Sequence, residues 1–221
     1  YGYGVKFRLI PYDFGIYEGE KVFDYEEVGI FNSTLDFNEY SKIRKFSLIM
    51  ELLTNNDILE EVFKFLKEKG VTKFNFLKLV LDNLGKSNSD VRLVFDSFNT
   101  DVTEELKATE EELLDFYSKD ENYERAKSGE IGGNVIFKHK GMMLRNYTKG
   151  WIDYVFSCIE EMRLGKENLP ILPLEIDEIK SFVLCKLNGL FSSEQGSEEI
   201  IFTFEHDLSK RLKNNRRDVL K

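Results

Sequence analysis

The chain has 221 residues, of which 42% are hydrophobic and 14% aromatic, and it carries a net charge of −9 from 31 basic and 40 acidic side chains. This composition excludes a disordered protein, because disorder requires low hydrophobicity together with high net charge, and the acidity argues against nucleic-acid binding, which depends on neutralising phosphates. The length predicts a single large domain or two small ones. Two cysteines are too few for a disulfide scaffold.

Two strands are predicted at the start of the chain, over 6–12 and 21–31, because apolar and polar residues alternate in both. The segment between them, 13–20, is predicted to be an aromatic loop, since it is too long for a two-residue turn. The chain opens at Tyr1 instead of Met, and the first strand has no earlier strand to pair with. We therefore expect residues 1–32 to be a β-strand and loop junction to an upstream domain.

From residue 33 to 191 the apolar residues recur at spacings of three and four, which predicts a helical domain. Capping boxes mark two of the helix starts, at Asp36 and Thr109, each with a glutamate three residues later. Residues 128–134 interrupt the pattern, and a long helical stretch is predicted to follow them as far as about residue 163.

The last segment, 192–221, is predicted to contain a short strand at 199–204 and a basic helical tail. We expect the cations of this tail to be a solvated helix end, with RNA or acidic-lipid binding as an alternative. The predicted fold class is therefore mainly α, a multi-helix domain with a small N-terminal β element that also admits a short C-terminal strand.

The sequence predicts no catalytic, cofactor-binding or metal-binding residue in this segment. His139 and His206 have no second metal ligand at helical spacing, and Cys158 and Cys185 lie far apart in apolar helical contexts, which predicts core thiols in a reducing compartment. The glycines of 129–133 precede a helix, where they could hold a phosphate. A loop that needs permissive backbone angles is the preferred interpretation. The sequence contains no run of about 18 apolar residues, so no membrane span is predicted.

Five segments follow one another along the chain, and their sequences are KFRLIPYDFGIY (6–17), EEV (26–28), YSKIRKF (40–46), GEIGGN (129–134) and FTFEHD (202–207). In this order they resemble the region that follows the catalytic barrel in radical SAM proteins with a cobalamin-binding domain. The resemblance covers most of the chain.

The resemblance implies a longer parent enzyme with an N-terminal cobalamin-binding fold and a partial barrel. In that family, a three-cysteine motif of the barrel binds an iron–sulfur cluster that cleaves S-adenosylmethionine to make a radical. Cys158 and Cys185 cannot form the motif, so no cluster, S-adenosylmethionine or cobalamin residue is carried over to this chain.

By this resemblance, the chain is expected to be a non-catalytic, cytoplasmic accessory domain that shapes the substrate entrance and packs on the upstream domains of the same polypeptide. The residues expected to face the substrate or those domains lie at the start of the chain, and they are Phe7, Arg8, Asp13, Phe14 and Tyr17. A self-contained helical protein-interaction module is the alternative.

Overall fold

The computed structural model describes residues 2–55, 59–164, 171 and 173–191. Within these ranges the fold is mainly α with a small two-stranded antiparallel sheet at the N-terminus, which confirms the predicted fold class. The predicted C-terminal strand and basic tail lie outside the described residues. The elements are β1 (Gly4–Tyr17), β2 (Glu20–Phe31), α1 (Phe37–Thr54), α2 (Glu60–Glu68), α3 (Lys73–Asp82), α4 (Ser89–Glu104), α5 (Glu110–Ser118), α6 (Asp120–Lys127), α7 (Val135–Asn146), α8 (Thr148–Leu164) and α9 (Pro173–Phe191).

The chain divides into two compact units, which we call the first and the second unit. The first unit comprises Tyr1–Leu48 and Leu93–Met142, and the second comprises Ile49–Arg92 and Met143–Lys221. The sheet, α5 and α6 lie in the first unit, whereas α2, α3, α8 and α9 lie in the second. The three-part division of the chain expected from the sequence stays a prediction.

The predicted aromatic loop over 13–20 is wrong, because most of this segment belongs to the strands. β1 continues to Tyr17 and β2 begins at Glu20, so the connection is the two-residue turn Glu18-Gly19. The φ angles of Glu18 and Gly19 are +53° and +89°. Positive φ at both central residues is typical of a type I′ turn, whose twist matches that of a β-hairpin.

The extra residues between the paired parts of the two strands form a bulge in β1. Leu9 pairs with Tyr25, but the next paired residue of β1 is Phe14, so residues 10–13 bulge out of the ladder. Tyr12 lies at the centre of this bulge with a φ of +66°, a conformation that is uncommon for a bulky side chain. The bulge therefore places an aromatic ring where a regular strand would not.

The hairpin is an integral part of the first unit. The backbone of Phe7 exchanges two hydrogen bonds with that of Lys107, with N–O distances of 2.9 and 2.8 Å. One face of the hairpin packs on α5 and α6, and the burial of that apolar face stabilises the sheet. An isolated two-stranded hairpin would be only marginally stable in water. The buried cluster consists of Leu9, Phe23, Leu113, Tyr117, Tyr123 and Ala126.

Both predicted capping boxes are confirmed. At the start of α1, the Glu39 N–H donates to the Asp36 carboxylate at 2.8 Å, and the Asp36 N–H donates to the Glu39 carboxylate at 2.9 Å. At the start of α5, the Thr109 hydroxyl accepts from the Glu112 N–H at 3.1 Å. The Glu112 carboxylate accepts from the Ala108 N–H at 2.8 Å, one residue earlier than in the standard box.

The long helix predicted after residue 134 is divided into α7 and α8, which meet at Tyr147. The Thr148 hydroxyl donates to the backbone carbonyl of Leu144 at this point. Side-chain bonds of this kind compete with the helical backbone ladder and bend helices. The division therefore has a local cause that apolar spacing alone does not show.

The second unit is built around α8, whose buried side chains include Trp151 and Cys158. Burial raises the pKa of the Cys158 thiol to about 11, as expected for an inert core cysteine. Cys185, on α9, is half-buried. Among the helices of the described ranges, none combines the length and the apolar character that a membrane crossing requires.

Two buried tyrosines allow a test of how a buried hydroxyl group changes the free energy of unfolding. The Tyr154 hydroxyl donates to the Val80 carbonyl, whereas the Tyr40 hydroxyl has no hydrogen-bond partner in the described part of the chain. Tyr154→Phe is expected to lower the free energy of unfolding by about 1 kcal/mol, and Tyr40→Phe to raise it by about 1 kcal/mol, because an unpaired buried hydroxyl destabilises the fold. Urea unfolding followed by circular dichroism measures both, and a Tyr40→Phe protein less stable than wild type would contradict the second expectation.

Candidate functional site

The structure separates the five residues that the sequence singled out. Phe7, Arg8 and Phe14 are half-buried and anchored in the first unit, where the Phe14 ring lies 6.0 Å from that of Phe23 and contacts α6. Asp13 and Tyr17 are exposed. The first group therefore holds the hairpin in place, and the second lies on its accessible side.

Arg8 belongs to an ionic network centred on a buried carboxylate. Glu105 is 9% exposed, and its carboxylate accepts from Arg8 and from Arg44, each at 3.2 Å. Arg8 also binds Glu26 across the hairpin. Burial raises the pKa of Glu105 above its ordinary value, although the charges of Arg8 and Arg44 act to lower it.

Beside this network the first unit contains a pocket of about 620 Å³. This volume lies within the range of small-molecule sites. The bulge of β1, the end of α4, α5, α6 and the loop before α7 all contribute to its wall. The lining residues are Tyr12, Asp101, Glu104, Glu105, Lys107, Phe116, Tyr117, Arg125, Gly129, Glu130, Ile131, Gly132, Gly133, Asn134, Val135, Phe137 and Lys138.

Tyr12 lines this pocket, although the sequence does not single it out as a site residue. Its side chain is 75% exposed. The hydroxyl lies 3.7 Å from the position that a Cβ on Gly129 would occupy, so Tyr12 reaches from the bulge to the glycine loop. Bulges often redirect a side chain beside a functional site.

The glycine loop, residues 129–134, has the permissive backbone angles that the sequence predicted. Gly129 and Gly132 have φ of +78° and +68°. A Cβ on Gly132 would lie 2.8 Å from Leu9 Cδ2 and 3.3 Å from the Tyr117 hydroxyl, so the loop also packs closely on β1 and α5. Asn134 ends the loop by accepting from the Phe137 N–H at 3.1 Å, which caps α7.

Tyr117 places a hydroxyl at the wall of the pocket. The residue is 2% exposed, and no described residue forms a hydrogen bond with the hydroxyl. Burial, followed by the charge of Glu105, raises the pKa of Tyr117 to about 12, so the phenol stays protonated at neutral pH. Tyr117 therefore offers the pocket a hydrogen-bond donor.

His139 lies next to this region but has a structural role. It is fully buried, its Nδ1 lies 2.9 Å from the Val135 carbonyl, and its Nε2 lies 3.2 Å from the Ser97 hydroxyl. Burial lowers the pKa of His139, which favours the neutral ring. Both ring nitrogens of His139 therefore have hydrogen-bond partners within the fold. Across the described ranges, no group of three or more His, Cys, Asp or Glu side chains is placed to hold a metal ion.

Comparison of the chain with protein-family models, with curated proteins and with solved structures found no match. The binding properties of the site are therefore inferred from its own geometry.

Proposed function

We propose that this chain is the non-catalytic C-terminal accessory domain of a radical SAM enzyme of the cobalamin-binding class. In this proposal the hairpin packs on the upstream barrel of the same polypeptide and shapes the substrate entrance. The resemblance of the chain to that family supplies the identity of the partner. The observation that carries the proposal is the concentration of exposed apolar side chains on the hairpin.

Seven of the fourteen large hydrophobic side chains that are exposed in the described part of the chain lie within its first 31 residues. Exposed apolar side chains that form a contiguous patch mark a site of interaction with another protein or domain, and this concentration supports such a site on the hairpin. The seven residues, with their exposed fractions, are Tyr3 (69%), Val5 (43%), Tyr12 (75%), Ile16 (58%), Tyr17 (65%), Val22 (45%) and Phe31 (46%).

The outer edge of β2 supports the same proposal. Phe7 directs its backbone N–H and C=O at Lys107, away from β2. In an antiparallel ladder the opposite residue, Glu27, then directs its own backbone groups away from β1, and so do Tyr25 and Gly29. The sheet of the described residues has two strands, so this edge carries no strand partner there. An open edge of this kind accepts an added strand.

The cofactor chemistry of the proposed parent does not fit the residues of this chain. The family's cluster needs three cysteines, whereas the chain has two, of which Cys158 is buried and Cys185 half-buried. We therefore assign cluster and S-adenosylmethionine binding to the upstream barrel and give this domain a packing role only.

The proposal is tested on the polypeptide that contains this chain together with the residues encoded before it. Purified without oxygen, that protein is expected to contain stoichiometric iron and sulfide, with or without cobalamin. A protein without iron would overturn the radical SAM assignment and leave the helical interaction module.

The role of the hairpin is tested in the same protein by charge substitutions. Ile16→Glu combined with Val22→Glu is expected to increase hydrogen exchange of the β2 amides, because charged side chains would oppose packing on the barrel. Leu164→Glu, at an α8 position that is 71% exposed, is the matched control and is expected to leave that exchange unchanged. Equal exchange in the hairpin variant and the control would contradict the packing role.

A further inference from the structure

The geometry points to the pocket of the first unit as a binding site for a small aromatic carboxylate. This inference does not depend on the radical SAM assignment, because it uses only residues of this chain. It follows from the groups in the pocket wall that lack partners, from the charges that are already neutralised, and from the shape and size of the cavity.

The partnerless groups are hydrogen-bond donors. The Tyr117 residue is only 2% exposed. Its hydroxyl lies beside Gly132 in the pocket wall and has no hydrogen-bond partner among the described residues. Val135, the first residue of α7, also lines the pocket, so the N-terminal end of a twelve-residue helix faces it. The first N–H groups of a helix have no partner inside the helix, and the helix dipole favours an anion there. Asn134 already accepts from the Phe137 N–H, so the remaining first N–H groups of α7 and the Tyr117 hydroxyl are the donors that a hydrogen-bond acceptor would suit.

Lys107 adds a positive charge to these donors. Its ammonium donates to the Glu104 carbonyl at 2.9 Å and lies 4.1 Å from the centroid of the Phe116 ring. Neither of these two contacts, which are the ones that the described residues make with the ammonium, is a carboxylate. A backbone carbonyl and an aromatic face leave its charge only partly compensated, so a carboxylate ligand would gain an ion pair.

The acidic residues of the pocket wall do not cancel the preference for a carboxylate ligand. Asp101 is paired with Lys138 at 2.7 Å, and Glu130 with Arg125 at 2.8 Å. Glu105 is held between two arginines. Glu104 is exposed to solvent, where its charge is screened. The acidic groups of the pocket therefore have counter-ions or lie exposed, whereas the partners of Lys107 are a carbonyl and an aromatic face.

The rest of the wall selects a flat ring. Tyr12, Phe116 and Phe137 contribute aromatic surface, and Ile131 adds an aliphatic side chain. Aromatic side chains bind rings by stacking or edge contacts. A volume of about 620 Å³ holds a molecule of one or two rings with its carboxylate and its solvent.

The test is a titration of the purified chain with three probes, benzoate, naphthalene-2-carboxylate and indole-3-carboxylate, each beside its uncharged carboxamide. Amide chemical shifts in nuclear magnetic resonance spectra report the binding site. At least one carboxylate is expected to shift resonances of the glycine loop saturably, and to bind about tenfold more tightly than its amide. Equal binding of acid and amide, or no saturable shift with any acid, would overturn the inference.

Three substitutions locate the binding groups. Tyr117→Phe is expected to weaken carboxylate binding about fivefold and Lys107→Met about tenfold, through the loss of a neutral and a charged donor respectively. Tyr123→Phe removes a phenol from the same aromatic cluster, at a residue outside the pocket wall, and is expected to bind like wild type. Circular dichroism shows that each variant is folded. Wild-type affinity in a folded Tyr117→Phe protein would also overturn the inference.

Discussion

Glu105→Ala is expected to lower the free energy of unfolding by about 3 kcal/mol, because it removes the buried counter-charge of Arg44 and leaves Arg8 with Glu26 alone. Both Arg8 and Arg44 donate to this carboxylate, and their side chains are only 21% and 18% exposed. Removing the carboxylate therefore leaves two partly buried guanidinium groups close to each other. The value is placed at the low end for buried pairs because both arginines retain some contact with water.

Urea unfolding followed by circular dichroism measures this loss. Glu26→Ala is the matched control, since Glu26 also pairs with Arg8 but its side chain is 45% exposed. An exposed pair contributes less than about 1 kcal/mol, so the control is expected to remain close to wild type. If the two variants lost equal stability, burial would not be what makes the Glu105 network strong.

Leu9→Ala is expected to destabilise the protein by about 3 kcal/mol, through lost apolar burial and the cavity that the missing atoms leave. Leu9 is 1% exposed and belongs to the cluster that joins the hairpin to α5 and α6. Its Cδ2 would lie 2.8 Å from a Cβ on Gly132, which shows how closely the loop approaches it. The surroundings have little room to collapse into the cavity without moving the glycine loop.

Ile16→Ala tests whether this loss is specific to the packed face of the hairpin. Ile16 lies on the same strand but is 58% exposed, so its truncation is expected to change stability by less than about 0.5 kcal/mol in the isolated chain. A Leu9→Ala loss as small as that of Ile16→Ala would mean that the hairpin does not share the core of the first unit.

Features that depend on neighbouring residues could be predicted from the sequence. The Asp36 and Thr109 caps are examples, because the side chain and the backbone N–H that it binds are three residues apart. The positive φ of Gly129 and Gly132 is another, since the loop must reverse direction between two helices.

Features that depend on strand register and distant contacts could not be predicted in this way. The Glu18-Gly19 turn was missed because the bulge at 10–13 hides the spacing of the two strands. Pro11 was the available signal, since a proline inside a strand lacks an N–H and marks a bulge or an edge. The pocket could not be predicted because Tyr12 and Tyr117 are far apart in sequence and line the same cavity only after the hairpin packs on α5.

The position of Trp151 gives the second unit a spectroscopic reporter of its own. It is the single tryptophan of the chain, it is fully buried, and it lies in the second unit. Its fluorescence emission therefore reports the melting of that unit, whereas far-ultraviolet circular dichroism reports the helices of both units. One heating experiment on the unmodified protein, followed at both wavelengths, will reveal whether the two halves lose their structure at the same temperature or in succession.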